Sequence, residues 1–179
     1  MKKVIVIVIV LLISGCSSNI MAKDVVKDYL DGYINLSKDV KRSLDKTIEE
    51  NKEFNDINKD MYKKILLKQY KDLKYVILNE EYDGDKALIT VNINVYDLNK
   101  AEENAEDYLS TNLKEFYDDK NKFDNQKYID FKLNLMYEAS ERIDYTVVFF
   151  LNRVNKKWVL EQPTDEDLEK IHGIYISNN

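Results

Sequence analysis

Few residues in this chain are equipped for covalent or metal chemistry. Histidine occurs once, as His172, and cysteine once, as Cys16, in 179 residues. One imidazole and one thiol make no His/Cys zinc set and no H-E-x-x-H helix. A Ser-His-Asp nucleophile would have to use His172, and no G-x-S-x-G elbow accompanies it. Beyond Gly15, the glycines Gly32, Gly84 and Gly173 are far apart. No glycine-rich loop can therefore cradle a phosphate, which excludes P-loop and Rossmann nucleotide sites.

Carboxylates remain. They cluster at Glu80, Glu81, Asp83 and Asp85, at Glu102, Glu103, Glu106 and Asp107, and at Asp165, Glu166, Asp167 and Glu169. Each cluster falls in a turn or at a helix start, where charge is solvated or favoured by the helix dipole. General acid–base work needs a carboxyl whose pKa burial has shifted. The run from Asp118 to Asn125 lacks the Asp/Asn spacing and the glycine of an EF-hand, and Phe123 interrupts it. No metal, no cofactor and no catalytic residue is expected.

The first sixteen residues account for the lone thiol. Lys2 and Lys3 precede ten apolar residues, Val4 to Ile13, and Ser14-Gly15 leads into Cys16. A membrane-crossing helix needs about 20 apolar residues, so this run is too short to span. A positive start, a short apolar stretch and a small-residue end form the secretory pattern. Ile13-Ser14-Gly15-Cys16 resembles the lipobox of bacterial lipoproteins, in which the cysteine thiol takes a diacylglyceryl group and becomes the new N-terminus. The resemblance implies a cleaved signal peptide at 1–15, a lipidated tether at 16–22 and one domain at 23–179. It also implies attachment to the outer, extracytoplasmic face of a cell membrane through lipid on Cys16.

Losing Lys2 and Lys3 with the leader takes the net charge from −6 to −8. An acidic body is repelled by phosphate backbones and by anionic headgroups, which argues against nucleic acid and against a polybasic membrane face. With one cysteine no internal disulfide can form, so stability must come from packing. The length suits a single domain with a real core, and no Pro-rich or Gly/Ser-rich linker divides it.

Three helices are expected first. Val25, Val26, Tyr29, Leu30, Tyr33 and Leu36 repeat at helical spacing across Lys23 to Leu36, with Gly32 either tolerated inside or marking a close backbone. Ser37 caps a second helix with Val40, Leu44 and Ile48 on one stripe. Asn55 or Asp56 opens a third, with Ile57, Met61, Ile65, Leu66, Tyr70 and Leu73 facing inward. A strand at Tyr75 to Leu78 then turns at Asp83-Gly84-Asp85 into a cleanly alternating one, with Ala87, Ile89, Val91, Ile93 and Val95 on its core face. Asn92 and Asn94 fall on the other face, as solvated residues or as the lining of a polar groove.

Asp97 caps a helix through Ala101, Ala105, Tyr108, Leu109, Leu113 and Phe116. Between Asp124 and Arg142 two patterns compete: Ile129, Phe131, Leu133 and Leu135 alternate like a strand, while Tyr128, Phe131, Leu135 and Ala139 fit a helix. Glu138 to Arg142 holds no turn residue, which favours the helix. Tyr145 to Leu151 is apolar or aromatic on both faces and reads as a central strand covered on both sides. Asn155-Lys156-Lys157 turns it into Trp158-Val159-Leu160. Thr164 to Asp167 has capping-box spacing for a last short helix that Gly173 terminates. His172 is expected to make one hydrogen bond at that helix end, with Ile174 to Ile176 docking on the sheet or facing a partner.

The fold class is therefore α+β: three N-terminal helices, an antiparallel sheet of about four strands in two hairpins with helices inserted between them, and a short C-terminal helix. That order, with Gly84-Asp85-Lys86-Ala87 leading an alternating strand and Lys157-Trp158-Val159 opening the last one, resembles NTF2-like and cystatin-like folds of small Gram-positive lipoproteins. The helices between Asp97 and Arg142 depart from the simplest version of that pattern. The resemblance implies a curved sheet wrapped by helices and no shared chemistry. The functional expectation is a membrane-anchored binding or protein-interaction module whose partner is an envelope protein or a small-molecule ligand. The alternative is a small enzyme using a pocket carboxylate. Thirteen tyrosines either wall a pocket or are half-buried packing.

Overall fold

The computed structural model describes residues 20–176. The leader and Cys16 lie outside the described residues. Helices α1 (Ala22–Ile34), α2 (Lys38–Glu50) and α3 (Asp56–Lys71) precede strands β1 (Lys74–Asp83) and β2 (Lys86–Tyr96). Then come α4 (Leu98–Asn112), a 3-10 turn at Leu113–Phe116, α5 (Asn125–Glu138), β3 (Arg142–Val154), β4 (Lys157–Leu160) and α6 (Asp165–His172).

Side chains mark most helix starts. Ser37, Asn55, Asp97 and Asp124 each accept a backbone N–H of their own first turn, and Thr164 and Asp167 form a reciprocal capping box. Such caps are worth about 1 kcal/mol each. At the far end of α6, Gly173 adopts φ 73°, the left-handed cap.

The sheet is antiparallel with strand order β1-β2-β3-β4. Two hairpins thus meet along β2 and β3, which pair from Lys86↔Asn152 to Tyr96↔Arg142. Gly84, at φ 58°, turns the first hairpin, and Asn155 and Lys156, at φ 51° and 66°, turn the second. Along β2 the alternation is complete: Ala87, Ile89, Val91, Ile93 and Val95 are all buried. On them pack Val147, Phe149 and Leu151 of β3, Val26, Tyr29, Leu30 and Tyr33 of α1, and Leu168 and Ile171 of α6. Val40, Leu44 and Ile48 of α2 complete this core. A second cluster joins Ile65 of α3 to Leu98, Ala101, Ile129, Leu133 and Met136 of α4 and α5. Between α3 and α5, the buried Asn58 donates to Asp130 at 2.6 Å and accepts from Gln126 at 2.6 Å, which satisfies its side chain.

Several expectations are corrected. Ile57 is 76% exposed, because the first turn of the helix directs Ile57 outward and Asn58 inward. Residues 125–138 are helical, but the buried stripe is Ile129, Leu133 and Met136, one step round from the Tyr128, Phe131 and Leu135 face. β3 is not covered on both sides. Among the described residues the helices that pack on the sheet, α1 and α6, lie on one face, and Phe150 on the other is 50% exposed. β1 and β3 are also longer than the apolar runs suggest, since their ends are polar residues held by strand pairing.

Gly173 sits in a tight junction. A side-chain carbon there would collide with the Gln69 amide and the Tyr96 carbonyl, whereas at Gly84 it would meet open space. Gly173→Ala is therefore expected to cost about 3 kcal/mol or more, from left-handed strain plus overpacking. Gly84→Ala is expected to cost about 1 kcal/mol, from the backbone term alone. Urea unfolding of the two variants measures the difference.

Candidate functional site

The uncovered sheet face follows from strand register. Val76 pairs across Asn92 to Thr146, Asn79 across Thr90 to Val148, Glu81 across Leu88 to Phe150, and Lys86 across Asn152 to Val159. Val76 is 60% exposed and Val159 46%. A register shift between Ile77 and Asn79 leaves Leu78, 58% exposed, at a bulge. The face mixes apolar and amide side chains, with charged residues such as Lys74, Glu81, Lys86, Arg142 and Asp144 at its ends and edges. Asn92 donates to Asp144 at 3.0 Å, and Asn94 accepts from Arg142, so both asparagines are tied to cross-strand neighbours.

The carboxylate clusters stay apart and solvent-facing. Glu80 accepts from Lys23 at 2.9 Å and from Tyr82 at 3.0 Å, and the Lys23 bond, ahead of the others, holds its pKa below the usual range. Glu102 pairs with Lys132 at 3.1 Å, Glu103 with Lys100 at 3.3 Å, and Glu166 with Lys170 at 2.6 Å. Asp167 is spent on the capping box. Glu169 differs: burial first, then its neighbours Asp165 and Glu166, push its carboxyl above the usual value. It borders neither of two shallow concavities, one along the exposed face of α2 and one of about 150 Å³ between the start of α4 and the end of α5. The second is smaller than the several hundred Å³ of an ordinary ligand site. Among the described residues no group of three His, Cys, Asp or Glu side chains could hold a metal ion.

Tyrosines fill the interior instead of walling a pocket. Tyr29, Tyr33 and Tyr70 are buried, and Tyr33 meets the Tyr29 ring at 5.5 Å and the Tyr70 ring at 5.0 Å, both edge-on. Each such contact adds about 1 kcal/mol beyond area burial. Burial pushes the Tyr33 hydroxyl to about 12. His172 lies against Tyr70, with ring centres 5.6 Å apart, and is 6% exposed. Its Nε2 and the Tyr70 hydroxyl have no hydrogen-bond partner, so the bond expected of the helix-end histidine is not made at Nε2. The reason is position: the imidazole points into the tyrosine cluster and not toward the helix carbonyls. The neighbouring tail does dock, since the Tyr175 carbonyl accepts from Tyr145 at 3.4 Å and their rings meet edge-on at 5.6 Å. Sequence spacing marked Tyr29, Tyr33 and Tyr70 as inward residues. It carried no signal for the uncovered face, which depends on which side the helices pack.

Two outcomes follow from this interior. Desolvation lowers the His172 pKa from 6.5 to about 4. Below pH 6.5 the unfolded chain takes up a proton that the folded chain refuses, so this contribution is intact at neutral pH and is lost as pH falls toward 4. Between pH 7 and pH 5 the loss is about 2 kcal/mol. His172→Leu removes that part of the slope, as urea unfolding at the two pH values would show. Tyr70→Phe removes an unsatisfied hydroxyl and is expected to change stability by less than about 1 kcal/mol, in either direction. No family model matches the chain, and neither the curated proteins nor the solved structures yield a match to it.

Proposed function

We propose that this chain is a lipid-anchored protein-interaction module on the outer face of a cell membrane. Cys16 carries the lipid once residues 1–15 are removed, and the uncovered sheet face receives the partner. The observation that carries the reading is that face: Val76, Leu78, Phe150 and Val159 stand exposed on a sheet whose opposite side carries the main core. Scattered surface apolar residues are normal, but Val76, Phe150 and Val159 share one sheet face with Leu88 and Val148, and apolar residues gathered on one exposed face are characteristic of contact surfaces. The unpaired edge of β1 borders it and offers backbone donors and acceptors to an added strand. The enzyme alternative finds its best group in Glu169, and neither concavity reaches that carboxyl.

Two measurements test the reading. Cells fed labelled fatty acid are expected to label the wild-type chain and not Cys16→Ser; equal labelling removes the anchor. Crosslinking on intact membranes is expected to recover one protein repeatedly. The double variant Val76→Asp, Phe150→Asp is expected to lose that protein at least tenfold while keeping its circular dichroism, since two desolvated charges cost several kcal/mol at an interface. A chain that is always recovered alone is not an interaction module.

A further inference from the structure

The seam between β2 and β3 is the middle line of the four-stranded sheet. On the uncovered face its rows run from Lys86 with Asn152, through Leu88 with Phe150, Thr90 with Val148 and Asn92 with Thr146, to Asn94 with Asp144. Chemistry is therefore graded along the strands. Leu88, Phe150 and Val148 lie toward the hairpin turns, and amides, a threonine and a carboxylate lie toward the other end.

The chain enters at the turn end. Lys23, in the first turn of α1, donates to Glu80 at 2.9 Å, and Asp31 near the other end of that helix accepts from Tyr75 at 2.8 Å. Helix α1 therefore runs antiparallel to β1, with its first residue beside the Gly84-Asp85 turn. Six residues, Cys16 to Met21, precede it, and extended they reach about 20 Å at most.

We propose that the partner of this face is a second copy of the chain in the same membrane, the two uncovered faces packed together about a two-fold axis along the β2–β3 seam. This rests on the anchor at Cys16 and on the interaction-module reading. Sheets packed face to face keep their strands roughly aligned, so two copies can run the same way or reversed. Only the first sets both tethers at one end, toward one membrane. The same arrangement matches the chemistry, because the axis sets each β2 residue against the β3 residue of its own row in the second copy. Leu88 meets Phe150, Thr90 meets Val148, Asn92 meets Thr146, Asn94 meets Asp144 and Lys86 meets Asn152. No like charges face each other along the seam. Reversal about the middle of the face would press Asp144 onto Phe150.

The rim carries the remaining charges. Lys74 flanks Asp144 of the second copy and Lys157 lies over its Asp83–Asp85 turn, while Glu81 faces Glu161, both of them exposed to solvent. The face is about 30 Å long and three to four strands, or about 14 to 19 Å, wide. That is about 500 Å² per copy and about 1,000 Å² in all, where specific interfaces begin. Confinement to one membrane raises the effective concentration of the second copy, so a contact of this size suffices.

Lipidation leaves no free thiol in a chain whose one cysteine is Cys16, so an introduced cysteine reports its own surroundings. Thr146 is exposed on the seam, and its two copies are about 11 Å apart, given sheets about 10 Å and strands about 4.8 Å apart. Two differently tagged full chains are expressed together, and their membranes are treated with a short bismaleimide. Thr146→Cys is expected to give a dimer carrying both tags, and Lys41→Cys, on the exposed side of α2, is expected to give none. Adding Phe150→Asp to Thr146→Cys is expected to lower the dimer at least tenfold while single-site maleimide labelling stays unchanged. Equal dimer from Thr146→Cys and Lys41→Cys overturns the pairing. Thr146→Cys linked only to a different protein overturns the second copy and leaves the interaction module standing, and a chain linked to nothing overturns both. Crosslinking of the chain with no added cysteine shows a free Cys16 thiol, which overturns the anchor and the shared orientation with it.

Discussion

The side-chain amide of Gln69 is the constraint on which the two halves of this fold depend. It is 1% exposed, and it both accepts the Tyr96 N–H at 2.9 Å and donates to the Tyr96 carbonyl at 3.0 Å. It therefore pairs with the last residue of β2 as a neighbouring strand would. Gly173 passes against the same amide, and its carbonyl accepts the N–H groups of Leu98 and Asn99 at the start of α4. One buried amide thus fixes where β2 stops, where α4 starts and where α6 ends. An unmade bond at such a site costs more than a made one contributes. Around it, Arg142 donates to the carbonyls of Asp72 at 2.7 Å and Asn94 at 2.8 Å and lies 4.7 Å over the Tyr96 ring.

With that junction set, α1 and α6 pack on one side of the sheet, and among the described residues no helix packs on the other. Stability and surface are thereby separated. The packed side holds the tyrosine cluster and the alternating core of β2. The uncovered side can change its chemistry without disturbing the interior. Its exposed edge is managed: the bulge beside Leu78 breaks the regular pattern of β1, and Lys74, Glu81 and Asp83 place charge along the strand, both of which discourage uncontrolled edge pairing.

Much of this architecture was legible in local pattern. Ala87 to Val95 alternate because one face of β2 is wholly buried, and period-two burial is a direct readout of that. Ser37, Asn55, Asp97, Asp124 and Thr164 are caps whose chemistry acts within four residues, so spacing alone finds most of them. The misreadings have one physical origin: contacts distant in sequence. Phe150 looks interior by type, yet no helix was left to cover it. Ile57 lost its inward place to Asn58, whose partners Gln126 and Asp130 lie about seventy residues on. Gln69 gave no signal, because a strand-mimicking amide is defined by what surrounds it, and His172 could be placed at its helix end but not against the tyrosines that its Nε2 faces.

The helical half beyond the junction has a dynamic consequence. Helices α4 and α5 pack chiefly on each other and on α3, around a small cluster of their own, while the larger core lies against the sheet. Detaching α5 would expose Ile129, Leu133 and Met136 and break the Asn58 triad, yet leave Ile89, Val91 and Phe149 sealed. Regions arranged in this way open as separate cooperative units, at a free energy below that of global unfolding. The molecule therefore divides into a sheet-and-α1 body that holds the larger core and a distal helical pair that can open on its own.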